Sequence, residues 1–230
     1  MTAADIIRAW AINSVGCPYL YGGTGQMCTP AYRKARAAQY PAYADKIQSN
    51  CPRMSGGASS CAGCRWADPG NGKGRPAYDC AQLSRYCMKE AGIALVSGSN
   101  SQWSKTAWAV RGPIADMPEN QVCLVFRCDN GSANLNKCSM GHVGVYLGDG
   151  TVVHAKGHSW GVVREELNAG NTFTHYAVPQ GLEEARYTAE ESEDQAPSAL
   201  SAPVQAALDA ARLALRSLEQ ALQEERRAAG

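Results

Sequence analysis

Ile6, Ile7, Trp10 and Val15 recur at steps near three and four, the pattern of a helix with one buried stripe over residues 3–15. Gly16, Pro18 and the pair Gly22 and Gly23 end that pattern and open a tight loop. A second helix is predicted from Cys80 to about Ala91, with Asp79 as its N-cap and Gly92 placed to stop it. Cys80, Leu83, Cys87 and Ala91 then share one face, so the cysteine in the first turn points towards packed interior. In the second half the period drops to two. Val122 to Arg127 reads as a short apolar strand, and Val143, Val145 and Leu147 alternate with Gly144 and Tyr146. Gly148, Asp149 and Gly150 make a turn, and Thr151 to Ala155 is the return strand. Residues 160–164 and 173–178 add two more strands. Helices first and an antiparallel sheet afterwards predict an α+β domain, its N-terminal helices packed on the sheet.

Two stretches fall outside this scheme. Residues 25–78 hold Ala, Arg and Tyr runs that predict one helix around 30–48, then Gly- and Pro-rich turns. This is a Cys-rich insertion, expected to be irregular and tied down by its own cysteines. After the main domain, residues 1–180, the chain turns acidic and then rich in Ser, Pro and Ala over 181–202, a linker. Residues 203–230 form an amphipathic C-terminal helix, with Val204, Leu208, Ala211, Leu215, Leu218 and Leu222 in a heptad-like seam. Self-association and packing onto the main domain are both open uses for that seam.

Composition narrows the function classes. The 230 residues carry 22 basic and 21 acidic side chains, a net charge of +1, so no broad basic field favours nucleic acid as a partner. No apolar run approaches the ~18 residues a membrane span needs. Met1 to Trp10 lacks a basic n-region and an uninterrupted apolar stretch, so no Sec signal is expected. Ten cysteines suit either an oxidised, disulfide-bonded protein or a reduced one with metal sites and free thiols. Cys28, Cys51, Cys61 and Cys64 include a Cys-x-x-Cys pair, and zinc, disulfides and unpaired thiols stay open for them. Cys128 and Cys138 bracket a polar loop and could clip it, setting the position of His142 a few residues on.

The chemistry concentrates on Cys80, His142 and His154. A thiol attacks as its thiolate, and helix-end amides lower its pKa. A nearby imidazole can take the proton or hold an ion pair. A three-residue turn with Gly150 in the left-handed position pairs Leu147 with Thr151 and His142 with Lys156. His154 then lies on the His142 face, diagonally about 7–8 Å away at the backbone. A two-residue turn would put the two rings on opposite faces. A cysteine on an apolar helix face is usually a small buried hydrophobe, and a strand histidine is usually structural. The joint pattern is what favours catalysis. Cys87 has the same chemistry but lies mid-helix, away from the end amides, and is read as core. His158 and His175 lack such a pattern and are read as surface or packing residues.

Four segments carry a resemblance: Pro18-Tyr19-Leu20-Tyr21-Gly22-Gly23, Asp79-Cys80-Ala81-Gln82-Leu83, Val122-Cys123-Leu124-Val125-Phe126, and Gly141-His142-Val143-Gly144 running on to Gly150, with His154 shortly after. In this order they resemble the NlpC/P60 family of papain-like cysteine peptidases, over about residues 3–178 apart from the insertion. The resemblance implies that Cys80 is the nucleophile, His142 the base and His154 the polar residue orienting that base. Tyr19 would line the site near the oxyanion, beside the Cys80 backbone N–H. Ala81 and Gln82 stand where the family has Ser-Gly, and the usual Gly-Asp before the first long strand is missing; neither change removes a catalytic group.

The same resemblance implies a peptidoglycan hydrolase. It would be a cysteine endopeptidase cutting cell-wall stem peptides through a thioester acyl-enzyme. By resemblance the bond is D-γ-glutamyl to the diamino acid. No metal and no cofactor is required for catalysis. Without a Sec signal, the expected setting is a phage lysin or tail-associated enzyme, or an effector exported by another route, acting at the bacterial cell wall. Two alternatives stay open: an amidase or acyltransferase on another amide or ester using the same site, and a non-enzymatic wall-binding module.

Overall fold

The chain divides into two compact units, Met1–Thr188 and Ala189–Gly230. The computed structural model describes residues 2–49, 51, 61 and 64–182, all within the first. The expected heptad helix and nearly all of the expected linker lie outside the described residues.

Helix α1, Ala3–Asn13, begins where Thr2 and Asp5 close a capping box, each side chain accepting from the other's backbone N–H. Its buried stripe is Ala4, Ile7 and Ala11, one step round from the stripe centred on Trp10 that the pattern predicts. Trp10 instead meets the edge of the Tyr86 ring at 5.2 Å.

The insertion is more regular than expected. Strand β1, Thr24–Met27, pairs antiparallel with β2, Pro76–Tyr78, closing the segment at its base. Between them, the single predicted helix is broken in two. Helix α2, Pro30–Gln39, starts at the Thr29 cap with proline in its first turn. It stops at Tyr40, which precedes Pro41 and takes φ −126°, ψ 72°, because the proline ring excludes the helical conformation from the residue before it. A 3-10 turn, Pro41–Tyr43, leads into helix α3, Ala44–Ser49. Leu20, Cys28, Tyr32, Ala37, Ile47 and Ala77 make a small core here, separate from the main one.

Helix α4, Cys80–Glu90, is the predicted helix: Asp79 Oδ1 accepts the Gln82 N–H at 2.8 Å, and Gly92 sits beyond its end in the left-handed region at φ 81°. Leu83, Cys87 and Met88 are fully buried. Helix α5, Ser99–Lys105, and strand β3, Trp108–Pro113, come next; neither was legible in the residue pattern. Five further strands complete the sheet: β4, Cys123–Cys128; β5, Met140–Tyr146; β6, Thr151–Gly157; β7, Gly161–Glu166; and β8, His175–Pro179. Their order is β3-β8-β4-β5-β6-β7, and every pairing is antiparallel. Helix α4 packs against β5 and β6, so its first turn approaches the strands that carry both predicted histidines. The α+β class and the layering of helices on an antiparallel sheet are as expected.

Candidate active site

The β5–β6 register decides whether two imidazoles can meet. Val145 pairs with Val153, Tyr146 with Val152, and the Leu147 N–H donates to the Thr151 carbonyl at 3.0 Å. Gly150 sits at φ 83°. This is the three-residue turn, and continuing its register places Gly144 across from His154. His142 Nε2 and His154 Nδ1 lie 2.7 Å apart, with both residues buried.

Gly144 makes this contact feasible. A Cβ there would lie 2.6 Å from Val152 Cγ2, 3.0 Å from Phe173 Cζ and 3.2 Å from His154 Cβ. The space it leaves lets Phe173 pack on both rings, stacked on His142 with centroids 5.7 Å apart and edge-on to His154 at 5.4 Å.

Glu165, which carries no signal in the residue pattern, completes the hydrogen-bonded series. On β7 it places Oε1 3.0 Å from His154 Nε2 and Oε2 2.8 Å from Lys156 Nζ. Burial pushes the Glu165 carboxyl up, but the hydrogen bonds from Lys156 and His154 outweigh that and hold it below its ordinary range. An ionised carboxylate only accepts, so His154 Nε2 carries the proton that faces it. Burial lowers the His154 pKa against the pull of Glu165, leaving the ring neutral at pH 7. Its Nδ1 is then a bare acceptor, and His142 must donate from Nε2. The remaining nitrogen of His142, Nδ1, holds the lone pair a general base needs. Glu165 thus sets both tautomers from two residues away.

Cys80 occupies the first turn of α4, partly exposed. The backbone N–H groups of Val143, Ala81 and Cys80 itself point at its sulfur and favour the thiolate. Burial, and then the Asp79 carboxylate, overcome them and push the thiol up to about 12. His142 moves the other way, down to about 3, through burial, then His154 and Arg127. The resting pair is therefore neutral thiol and neutral imidazole. Desolvation outweighs the three backbone dipoles here, which favours the alternative in which the imidazole takes the thiol proton. Among the described residues no direct hydrogen bond joins Cys80 to His142, and the Val143 N–H is what ties the sulfur to β5. The neutral pair suits proton transfer from Cys80 to His142 Nδ1 during attack, rather than a preformed ion pair.

Tyr19 lies beside this centre. Burial, then the nearby Cys80 and Asp79, raise its pKa, so the phenol keeps its proton and can donate it. His158, read from the sequence as surface or packing, sets its ring edge against Tyr19 at 4.7 Å. Burial, then Arg33 and Lys46, bring His158 down to about 4. Cys87 is fully buried in the main core, as expected of a structural cysteine.

Residues 66–179 match the family model described as NlpC/P60 family. Over that segment the chain belongs to the NlpC/P60 family. The match takes in Cys80, His142, His154 and Glu165 but not Tyr19. Solved structures similar to the chain include the peptidoglycan hydrolase RipB from Mycobacterium tuberculosis, 18% identical, covering 75% of this chain and 63% of that one at a TM-score of 0.42. The P60 domain of antigen MAP1204 from M. avium subspecies paratuberculosis is 19% identical, over 77% of this chain and 93% of that one, at 0.43. The NlpC/p60 domain of the peptidoglycan hydrolase SagA is 18% identical, over 76% and 97%, at 0.42. The chain thus spans under two thirds of the RipB chain. No curated protein matches it. No helix among the described residues is long and apolar enough to cross a membrane.

Proposed function

We propose that the chain is a peptidoglycan hydrolase, a cysteine endopeptidase acting at the bacterial cell wall on stem-peptide amide bonds. The observation that carries this reading is the ordered series Glu165, His154, His142, which leaves one imidazole lone pair free on the strand that touches Cys80. As the thiol attacks the amide carbonyl, His142 Nδ1 takes its proton, and the C–S bond forms while the carbonyl π-bond opens. The Cys80 N–H and the Tyr19 hydroxyl hold the oxyanion. Protonated His142 then gives its proton to the departing amine, leaving a thioester. Water, deprotonated by His142, cleaves that thioester and restores the thiol. No step calls for a metal or cofactor. The bond cut is D-γ-glutamyl to the diamino acid.

Digestion of purified peptidoglycan by the wild type and by Cys80→Ala, with mass analysis of the fragments, tests this. The wild type should release peptides that begin with the diamino acid, leaving D-glutamyl carboxyl ends on the glycan-bound stubs, and Cys80→Ala should release none. Cys87→Ala, if folded, should stay active. Release of intact stem peptides from muramic acid would show an amidase instead, and wall binding without turnover a non-enzymatic module.

A further inference from the structure

A second cluster of cysteine and histidine lies apart from the catalytic one. Cys128 ends β4, Cys138 precedes β5 by two residues, and His175 opens β8; all three are buried. Their two Sγ atoms and one His175 ring nitrogen all lie within 4.8 Å of one another. We propose that Cys128, Cys138 and His175 form a structural zinc site, with water in the fourth position. It stands independently of the peptidase reading.

Three observations carry it. The first is distance. With Zn–S near 2.3 Å and Zn–N near 2.05 Å, neighbouring ligand atoms of a tetrahedral site are about 3.6 Å apart. Cys138 Sγ and His175 Nε2 stand 3.6 Å apart. The second is the His175 tautomer. Thr174 Oγ1 donates to the Phe126 carbonyl at 3.3 Å and accepts the Cys128 N–H at 2.9 Å. The same oxygen lies 2.8 Å from His175 Nδ1. In the tautomer where Nδ1 donates to it, Nε2 presents a bare lone pair to the thiols, the arrangement in which an outer hydrogen bond orients a metal-bound histidine.

The third is how the loop is held. Residues 129–139 bring Leu135 and Cys138 to the main core and are otherwise held by polar contacts: Asn130 Oδ1 takes the Ser139 N–H at 3.1 Å and the Cys128 thiol at 2.9 Å, and the Leu135 carbonyl takes the Trp103 indole N–H at 2.8 Å. A zinc ion would bind this loop to β4 and β8 at once. Both thiols would lose their protons to solvent on binding. The staple would end four residues before His142. The spacing of Cys128 and Cys138 suggests a clip between them but gives no sign of His175, because β8 is distant along the chain and its pattern carries no ligand spacing.

The test uses the full chain. Protein expressed with supplemented zinc should carry it in a form that a mercurial thiol reagent releases. Titration of metal-free protein with Co²⁺ should give the near-ultraviolet thiolate-to-cobalt band together with tetrahedral ligand-field bands. Cys138→Ser and His175→Asn should abolish or strongly weaken these bands, while Cys61→Ser with Cys64→Ser should leave them unchanged. Thr174→Val keeps all three ligands and should weaken Co²⁺ binding about 10–100-fold, the usual cost of losing an outer-shell partner. If the ligand variants fail to fold, Thr174→Val and the insertion double variant decide between the two cysteine sets. Absence of a cobalt band, a band retained in folded Cys138→Ser, or a Cys128–Cys138 disulfide as the main form in zinc-supplemented protein overturns the proposal.

Discussion

The carboxylate of Glu165 reaches the reaction only through two rings, so its removal should be graded rather than absolute. Glu165→Ala leaves the His154 Nε2–H without its acceptor and frees both imidazoles to take the wrong tautomer. On peptidoglycan-derived stem peptides, kcat should fall about 10- to 100-fold with KM little changed, less than the 10²–10⁴ that a positioned base supplies. Glu165→Gln, whose Oε1 still accepts that proton, should recover most of the loss; equal loss in both variants would count against orientation as the cause. The sulfur makes a second prediction. A thiol pushed up to about 12 should react slowly with iodoacetamide at pH 7, its rate rising about tenfold per pH unit as the thiolate fraction grows. Alkylation at Cys80, read by peptide mass, measures this directly, and a plateau already reached near neutrality would show a preformed ion pair. Asp79→Asn keeps an N-cap of similar quality and removes the second-largest cause of the shift, so Cys80 should alkylate faster at each pH without loss of helix stability.

The turn and the strand opposite it are the elements on which the site depends. A one-residue change of turn would carry His154 to the other face of the sheet, and the Gly148–Gly150 turn avoids this with Gly150 at φ 83°. Gly144 is equally exacting. Gly144→Ala places a methyl group against Val152, Phe173 and His154. It should cost about 1–3 kcal/mol as an overpacked core position, seen as a lower urea midpoint, and should cut kcat by separating the rings. Helix α4 and the β5–β6 hairpin could be read from residue spacing because their apolar period is strong and their caps are standard. Helix α5 and strand β3 could not. The buried face of α5 is Gln102 and Trp103, with Gln102 satisfied by Ser84 Oγ and the Ala81 carbonyl. Strand β3 lies at the sheet edge with most of its residues at least partly exposed, so neither shows apolar periodicity.

Across the whole molecule, all four histidines sit below the ordinary imidazole value of 6.5: His142 at about 3, His158 at about 4, and His154 and His175 also lowered, burial leading in each case. Below pH 6.5 the unfolded chain takes up protons that the folded chain refuses. Stability is therefore full above 6.5 and drains as pH falls towards 3. Asp79, raised by burial, opposes this trend as a single group. Urea midpoints should drop steadily between pH 6.5 and 4, and a flat profile would contradict the burial of the imidazoles. The order of residues along the chain singled out the proposed nucleophile, base and base partner, because cap, turn and alternation are local and act within a few residues. Tertiary structure alone decided the protonation states, the role of Glu165 and the meeting of His175 with Cys128 and Cys138. Desolvation and long-range approach depend on which strands become neighbours, and no spacing along a single strand carries that information.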